Sequence, residues 1–259
     1  MEFFDSHAHY DDEKFDIDRQ EIINKIYREG ITRVVSAGYS IEGSKKAIEL
    51  SKQFDFIFAT CGVSPNDIPD SIEEWDIQKE KLQSLLKNEK VVAVGEIGLD
   101  YYWNKENKEL QKSIFIDQIK IANEYNMPIV IHTREAVMDT IDIIKNVIRV
   151  KKAGVFHCCP QNRELIKEAL KLGFFISFAG PITFKSSKNA CEIVNMVPLD
   201  RLLIETDSPY LTPEPNRGKR NDSSNVKYIA KKIADFKGIS IEEVAKATYE
   251  NANKIFGIK

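Results

Sequence analysis

Eight short runs of β-branched and aromatic residues alternate with longer stretches of helical periodicity, and that alternation admits few folds. The runs are Glu2–Ser6, Thr32–Ala37, Phe56–Gly62, Val91–Ile97, Pro128–His132, Gly154–Cys158, Phe174–Phe178 and Arg201–Thr206. Between them, apolar residues recur near every 3.6 positions over Arg19–Glu29, Ile41–Gln53, Gln78–Asn88, Glu109–Tyr125, Ala136–Val150, Arg163–Leu172 and Ala190–Met196. Asn225–Phe236 and Ile241–Asn251 close the chain as two more helices, the last opened by a capping box of Ser240 and Glu243. Most of the strands are continuously apolar, as a parallel sheet covered on both faces requires. Eight βα units in 259 residues match an α/β (β/α)8 TIM barrel in count and length. A doubly wound open sheet is the alternative, but it has fewer strands and often a glycine-rich first turn. Here the first turn is His-Ala-His-Tyr-Asp-Asp. With no linker, repeat or low-complexity segment, residues 1–259 are expected to form one domain.

A chain this long and 42% hydrophobic can bury a large core. Its net charge of -3 supplies no global field that would draw it onto nucleic acid, so an anionic substrate needs a local grip. The acidic, strand-like start is unlike a signal peptide, and no apolar run approaches the roughly 18 residues of a membrane span. Cys61, Cys158, Cys159 and Cys191 show no CxxC spacing, and adjacent Cys158 and Cys159 read as small strand-end residues rather than a redox pair. A cytoplasmic protein with no membrane association is expected, acting as a monomer.

The chemistry is concentrated in the four histidines. His7 and His9 stand at the end of the first strand, His132 ends the fifth, and His157 follows Gly154-Val155-Phe156 in the sixth. Residues i and i+2 of a strand share a face, so His7 and His9 can grip one ion. The fourth strand ends in Gly95-Glu96-Ile97-Gly98-Leu99-Asp100 and the eighth in Ile204-Glu205-Thr206-Asp207, each placing a carboxylate at the rim. A single strand-end histidine can be an ordinary hydrogen-bonded rim residue, Glu96 a salt-bridge partner, and Asp207 an Asx-turn residue. Five strand ends carrying such groups converge on the mouth where barrel enzymes build their sites. The set exceeds what one tetrahedral ion needs. Two divalent ions bridged by Glu96 are expected, an arrangement suited to phosphoester hydrolysis. Mixed nitrogen and oxygen donors leave Zn2+, Mn2+ and Mg2+ all open.

Asp5-Ser6-His7-Ala8-His9, Gly95-Glu96-Ile97-Gly98-Leu99-Asp100-Tyr101-Tyr102, Ile131-His132-Thr133-Arg134, Phe156-His157-Cys158, Glu205-Thr206-Asp207-Ser208-Pro209-Tyr210 and Arg217-Gly218-Lys219-Arg220-Asn221 together resemble the TatD family of metal-dependent deoxyribonucleases. The resemblance runs from the first strand to Asn251 and Phe256. It implies a TIM-barrel hydrolase of the metal-dependent amidohydrolase superfamily, cleaving DNA and often trimming it exonucleolytically. By matching motif, His7, His9, Glu96 and Asp207 would hold one ion, and Glu96, His132 and His157 the second. Asp207 would also orient the attacking water or take its proton. Glu205, on the same face as Asp207 by strand alternation, is expected to be an auxiliary carboxylate or a plain rim salt-bridge partner.

Two loops depart from the family pattern. Where strand three commonly ends Gly-Val-His-Pro-His, this chain has Gly62-Val63-Ser64-Pro65-Asn66, and after the His-Cys of strand six it has Cys159-Pro160-Gln161. Ser64 can still hydrogen-bond a phosphate oxygen. Arg134 and a short basic loop of Arg217, Lys219 and Arg220 are further expected substrate contacts, the loop being either a phosphate grip or a solvated charge run. Of Tyr101, Tyr102 and Trp103, some can stack on bases while at least one packs under its loop.

The expected function is therefore metal-dependent hydrolysis of DNA, acting on single strands or ends. A deacylase acting on D-aminoacyl-tRNA could use the same cage. Related two-metal amidohydrolases often bridge their ions with a carboxylated lysine, and Glu96 in that place counts against them. An inactive metal-binding or nucleic-acid-binding scaffold is the rival from another class.

Overall fold

The computed structural model describes residues 1–149 and 153–259. Strands β1 (Phe3–Ala8), β2 (Ile31–Ala37), β3 (Ile57–Cys61), β4 (Val91–Asp100), β5 (Ile129–Arg134), β6 (Gly154–Phe156), β7 (Phe175–Phe178) and β8 (Leu202–Ile204) lie side by side in chain order, each parallel to the next. Helices α1 (Arg19–Arg28), α2 (Ile41–Gln53), α3 (Ile72–Leu85), α4 (Lys108–Tyr125), α5 (Val137–Val147), α6 (Arg163–Lys171) and α7 (Ala190–Met196) return the chain from strand to strand. Helices α8 (Val226–Lys237) and α9 (Ile241–Phe256) follow β8. The result is a nearly closed (β/α)8 barrel. Among the described residues, no helix is long and apolar enough to cross a membrane.

The interior explains why the strands read as continuously apolar. Phe4, Val35, Ala93, Val130, Val155, Phe175 and Leu203 form one buried cluster with Phe58 packed against it, one residue from each strand. Ala252, Ile255 and Phe256 of α9 join this cluster and plug the N-terminal end of the barrel. Two positions further along the same face come Ser6, Ala37, Thr60, Gly95, His132, His157, Ser177 and Glu205. Six of these eight carry polar side chains, so the core turns from hydrocarbon to mostly polar groups in one step toward the C-terminal mouth.

The barrel is sealed between its first and last strands largely by side chains. Asp5 accepts hydrogen bonds from Thr206 N (2.9 Å) and Thr206 Oγ1 (2.5 Å), and Ser6 Oγ donates to Ile204 O at 2.9 Å. Asp207 N donates to His7 O at 2.9 Å and His9 N to Ser208 O at 2.7 Å.

Several boundaries differ from expectation. Helix α3 begins six residues early because Ser71 caps it, accepting from Glu74 N at 3.3 Å, and Trp75 on its first turn is buried. Helix α9 runs five residues past Asn251, whose buried amide donates to Leu199 O and Leu202 O and ties the helix to β8. The capping box of Ser240 and Glu243 is formed. Val150, the expected end of α5, lies outside the described residues.

Candidate metal centre

The site starts from a local irregularity in β4. Val94 pairs with Ile129 and the next paired residues are Ile97 and Ile131, three steps along β4 against two along β5. Such a bulge re-aims side chains, and Glu96 sits within it, its amide donating to Gly38 O at 2.7 Å. Past the bulge, Gly98 (φ 145°) lets β4 pass against β5, since a Cβ there would lie 1.9 Å from His132 O. Asp207 is carried by a left-handed residue (φ 56°) beyond the end of β8. Strand alternation therefore does not reach it, and Asp207 and Glu205 face the site by different means.

The structure brings the six expected ligand residues together. His7 Nε2 and His9 Nε2 are 3.2 Å apart. Asp207 Oδ1 lies 3.7 Å from the first and 3.3 Å from the second, and Glu96 Oε2 lies 3.4 and 3.7 Å from them. The other Glu96 oxygen, Oε1, is 3.1 Å from His132 Nδ1 and 3.5 Å from His157 Nε2, which are themselves 3.2 Å apart. Ligand atoms about 2.1 Å from one ion in tetrahedral array stand about 3.4 Å from each other. Both groups have that spacing, so the donors fit divalent metal.

The remaining ring nitrogens fix the tautomers. His9 Nδ1 lies 3.1 Å from Ala37 O, which can only accept, so Nε2 carries the free lone pair. His132 Nε2 lies 3.0 Å from Asp100 Oδ2 and His157 Nδ1 3.3 Å from Glu205 Oε1, leaving His132 Nδ1 and His157 Nε2 for the centre. Glu205 is fully buried and also accepts from Cys158 N at 2.7 Å. His7 stacks on His157 with ring centroids 4.0 Å apart.

Electrostatics point the same way. Burial disfavours charge on every group here, and mutual attraction overrides it for most. Against that burial, the charge of His157 and hydrogen bonds from His132, His157 and His7 hold Glu96 well below the usual carboxylate range. Asp207 is lowered, despite burial, by its hydrogen bond with His9 and by the charge of His9, His157 and His7. In return Asp207 lifts His9 to about 9, Asp100 and Glu96 raise His132, and Glu96 and Glu205 raise His157, all against burial. Only His7 moves down, through burial and the neighbouring His157. The two carboxylates thus demand positive charge, which divalent cations satisfy in place of protons.

A cavity of about 850 Å3 opens above the cluster. Ser64, Asn66, Asp67, Trp103, Arg134, Cys159, Pro160 and Gln161 line it, with Phe178, Ile182 and Leu211 forming an apolar wall. Among the described lining residues, Arg134 is the one lysine or arginine. Ser64 Oγ donates to Asp67 at 2.7 Å, and Asn66 Nδ2 reaches Asp100 at 3.3 Å. Tyr101 is buried under its loop with its hydroxyl on Asp139, whereas Tyr102 and Trp103 are exposed and carry the Arg134 guanidinium 3.9 and 5.4 Å from their ring centroids.

Arg217, Lys219 and Arg220 do not line the cavity. Arg220 is bound to Asp18 and to Lys14 O and lies over Phe15, while Arg217 lies 3.6 Å over the Phe184 ring. Lys219 is exposed, its carbonyl taken by Thr212. Asp100 was not among the expected site residues, although it orients His132, accepts from Tyr102 N and Trp103 N, and is fully buried. Its place four residues after Glu96 was the available signal.

The family described as TatD related DNase matches residues 4–257. An uncharacterized metal-dependent hydrolase of Bacillus subtilis, YabD, is 43% identical over 98% of this chain and 99% of its own length. YcfH of Escherichia coli, another uncharacterized metal-dependent hydrolase, is 37% identical over 100% and 97%. Among solved structures, the Escherichia coli TatD homologue YJJV superposes with a TM-score of 0.91 at 24% identity, covering 99% of this chain and 98% of that one. A TatD family hydrolase of Entamoeba histolytica gives 0.85 at 24% identity, with 98% of each chain covered.

Proposed function

Since this chain belongs to the TatD-related DNase family and is a metal-dependent hydrolase, we propose that it cleaves phosphodiester bonds of DNA, trimming single strands or ends, with two divalent ions in one cage. The observation that carries this reading is the division of Glu96, one oxygen toward His7, His9 and Asp207 and the other toward His132 and His157. His7, His9, Glu96 and Asp207 would hold one ion, and Glu96, His132 and His157 the other. Bound there, Mg2+, Mn2+ or Zn2+ would supply Lewis acidity toward a phosphoryl oxygen and acidify water.

The chain's own residues do the rest. Asp207, in a strained left-handed conformation at the cavity wall, orients water toward the substrate and takes its proton. Glu205 and Asp100 hold the rings of His157 and His132 so that neither turns from the centre. Arg134 brings positive charge to a pocket whose acidic lining residues are Asp12, Asp67, Glu96 and Asp207, while the hydroxyl proton of Ser64, expected on a phosphate oxygen, is given to Asp67 instead. All these groups come from one chain, so a monomer suffices.

The deciding experiment removes metal, restores Mg2+, Mn2+ or Zn2+ singly, and assays end-labelled single- and double-stranded DNA beside D-aminoacyl-tRNA. A ladder shortening from one end of the single strand is expected. Release of amino acid with intact DNA would overturn the phosphodiester reading in favour of ester hydrolysis.

A further inference from the structure

Three exposed cations on separate loops at the mouth are seated on aromatic rings. Lys14 Nζ, in the loop after β1, lies 4.0 Å from the centroid of Tyr210. Arg134, at the end of β5, lies over Tyr102 and Trp103 from the β4 loop. Arg217, in the long connection after β8, lies over Phe184 from the β7 loop. None of the three has a carboxylate partner among the described residues. Asp12, two residues before Lys14, is taken by Tyr210 OH at 2.5 Å and by Lys14 N at 2.8 Å, and the adjacent Glu13 makes no ion pair with the Lys14 ammonium. By contrast Arg220 is neutralised by Asp18, as Lys231 on α8 is by Asp235.

The distinction has a physical consequence. A cation in a salt bridge offers little net field to a ligand, whereas one lying on a ring face keeps its full charge and loses side-chain freedom in advance. The rings matter too. Tyr102, Trp103 and Tyr210 are 40%, 69% and 43% exposed, and such faces stack unpaired bases. A duplex hides its base faces, so this combination suits a single strand.

We propose that Lys14, Arg134 and Arg217 form a rim that tracks the phosphates of a single DNA strand whose end enters the cavity. The choice of DNA rests on the phosphodiester reading above, while the grip itself requires no metal.

The test is equilibrium binding of a fluorescent oligothymidylate of about 12 nucleotides to metal-free protein across a salt series. Three phosphate contacts give a slope of log K against log salt of about −2, and each of Lys14→Ala, Arg134→Ala and Arg217→Ala lowers its magnitude by about 0.7. Arg134→Lys and Arg217→Lys keep the slope, and so does Lys231→Ala. A triple alanine variant with the native slope, or an equal loss in Lys231→Ala, overturns the rim. Cleavage of the same oligonucleotide by metal-loaded protein is scored separately. Cleavage alongside an unchanged triple-variant slope sinks the rim and leaves the phosphodiester reading standing. The expected slopes without any cleavage uphold the rim and sink that reading instead.

Discussion

Asp100 Oδ2 lies 3.0 Å from His132 Nε2, on the far side of the ring from Glu96. A carboxylate in that position selects one tautomer and one ring orientation, so the lone pair of Nδ1 faces the candidate metal centre. Asp100→Asn retains the shape but loses the charge, and about 10- to 100-fold weaker metal binding is expected. Calorimetric titration of the stripped protein measures this directly. Native affinity in the variant would show that Asp100 serves only the Tyr102–Trp103 turn.

Asp207→Asn tests the proton-handling role. A positioned general base contributes about 10²–10⁴-fold, and kcat on an end-labelled oligonucleotide is expected to fall by that range. Glu96→Ala removes a donor from both groups at once and is expected to abolish turnover. Full hydrolytic rate in either variant under the same metal conditions would remove the assignment.

The imidazoles make metal binding proton-coupled. Asp207 lifts His9 to about 9 against its burial, and His132 and His157 are also raised. At neutral pH the His9 ring holds a proton until metal displaces it, so proton release on metal addition is expected, diminishing as pH rises through about 9. The same shift sets the stability of the metal-free protein. His9 is raised above its unfolded value of 6.5, so its contribution is fully present below pH 6.5 and is lost as pH rises through about 9. Tm of the stripped protein should fall across that window, and a flat profile would contradict the assignment.

Gly98→Ala should damage fold and site together. The added Cβ would meet His132 O at 1.9 Å on a residue with φ 145°. Overpacking against side chains costs about 1–3 kcal/mol, and a rigid backbone partner should push the loss to the upper end or beyond. Denaturant unfolding gives the loss, and metal titration reports whether His132 has moved.

Arg220 is expected to matter for stability. Its guanidinium joins Asp18 and the ring of Phe15, pinning the β8 loop to the segment after β1. The ion pair is about one-third exposed, so Arg220→Ala should cost about 1 kcal/mol or less, read from the shift in unfolding midpoint.

How far the sequence carried this reading depended on the kind of signal. The strands were visible because each needs apolar residues on both faces, and the ligands because histidine is scarce and each stood where a strand ended. Ser71-Ile72-Glu73-Glu74 offered a helix start that the apolar periodicity of α3 did not. Asp100 and Glu205 could not be assigned partners from spacing, since His132 and His157 reach them only after β4, β5, β6 and β8 are placed side by side. The residues of the basic loop part company for a similar reason. Arg217 and Arg220 are three positions apart, yet one meets Phe184 and the other Asp18, on opposite neighbours of the loop.

The seam between β1 and β8 has a consequence for how the protein is made. Asp5 and Thr206, which join there, are 201 positions apart. A ribosome thus delivers His7 and His9 about two hundred residues before Asp207. Until then the nascent chain carries two imidazoles of an ion site with neither carboxylate correctly opposed. Long-range closure of this kind is entropically slow, so an ion captured early is held loosely and can exchange. The proposed cage can close only once the segment after β8 has met β1.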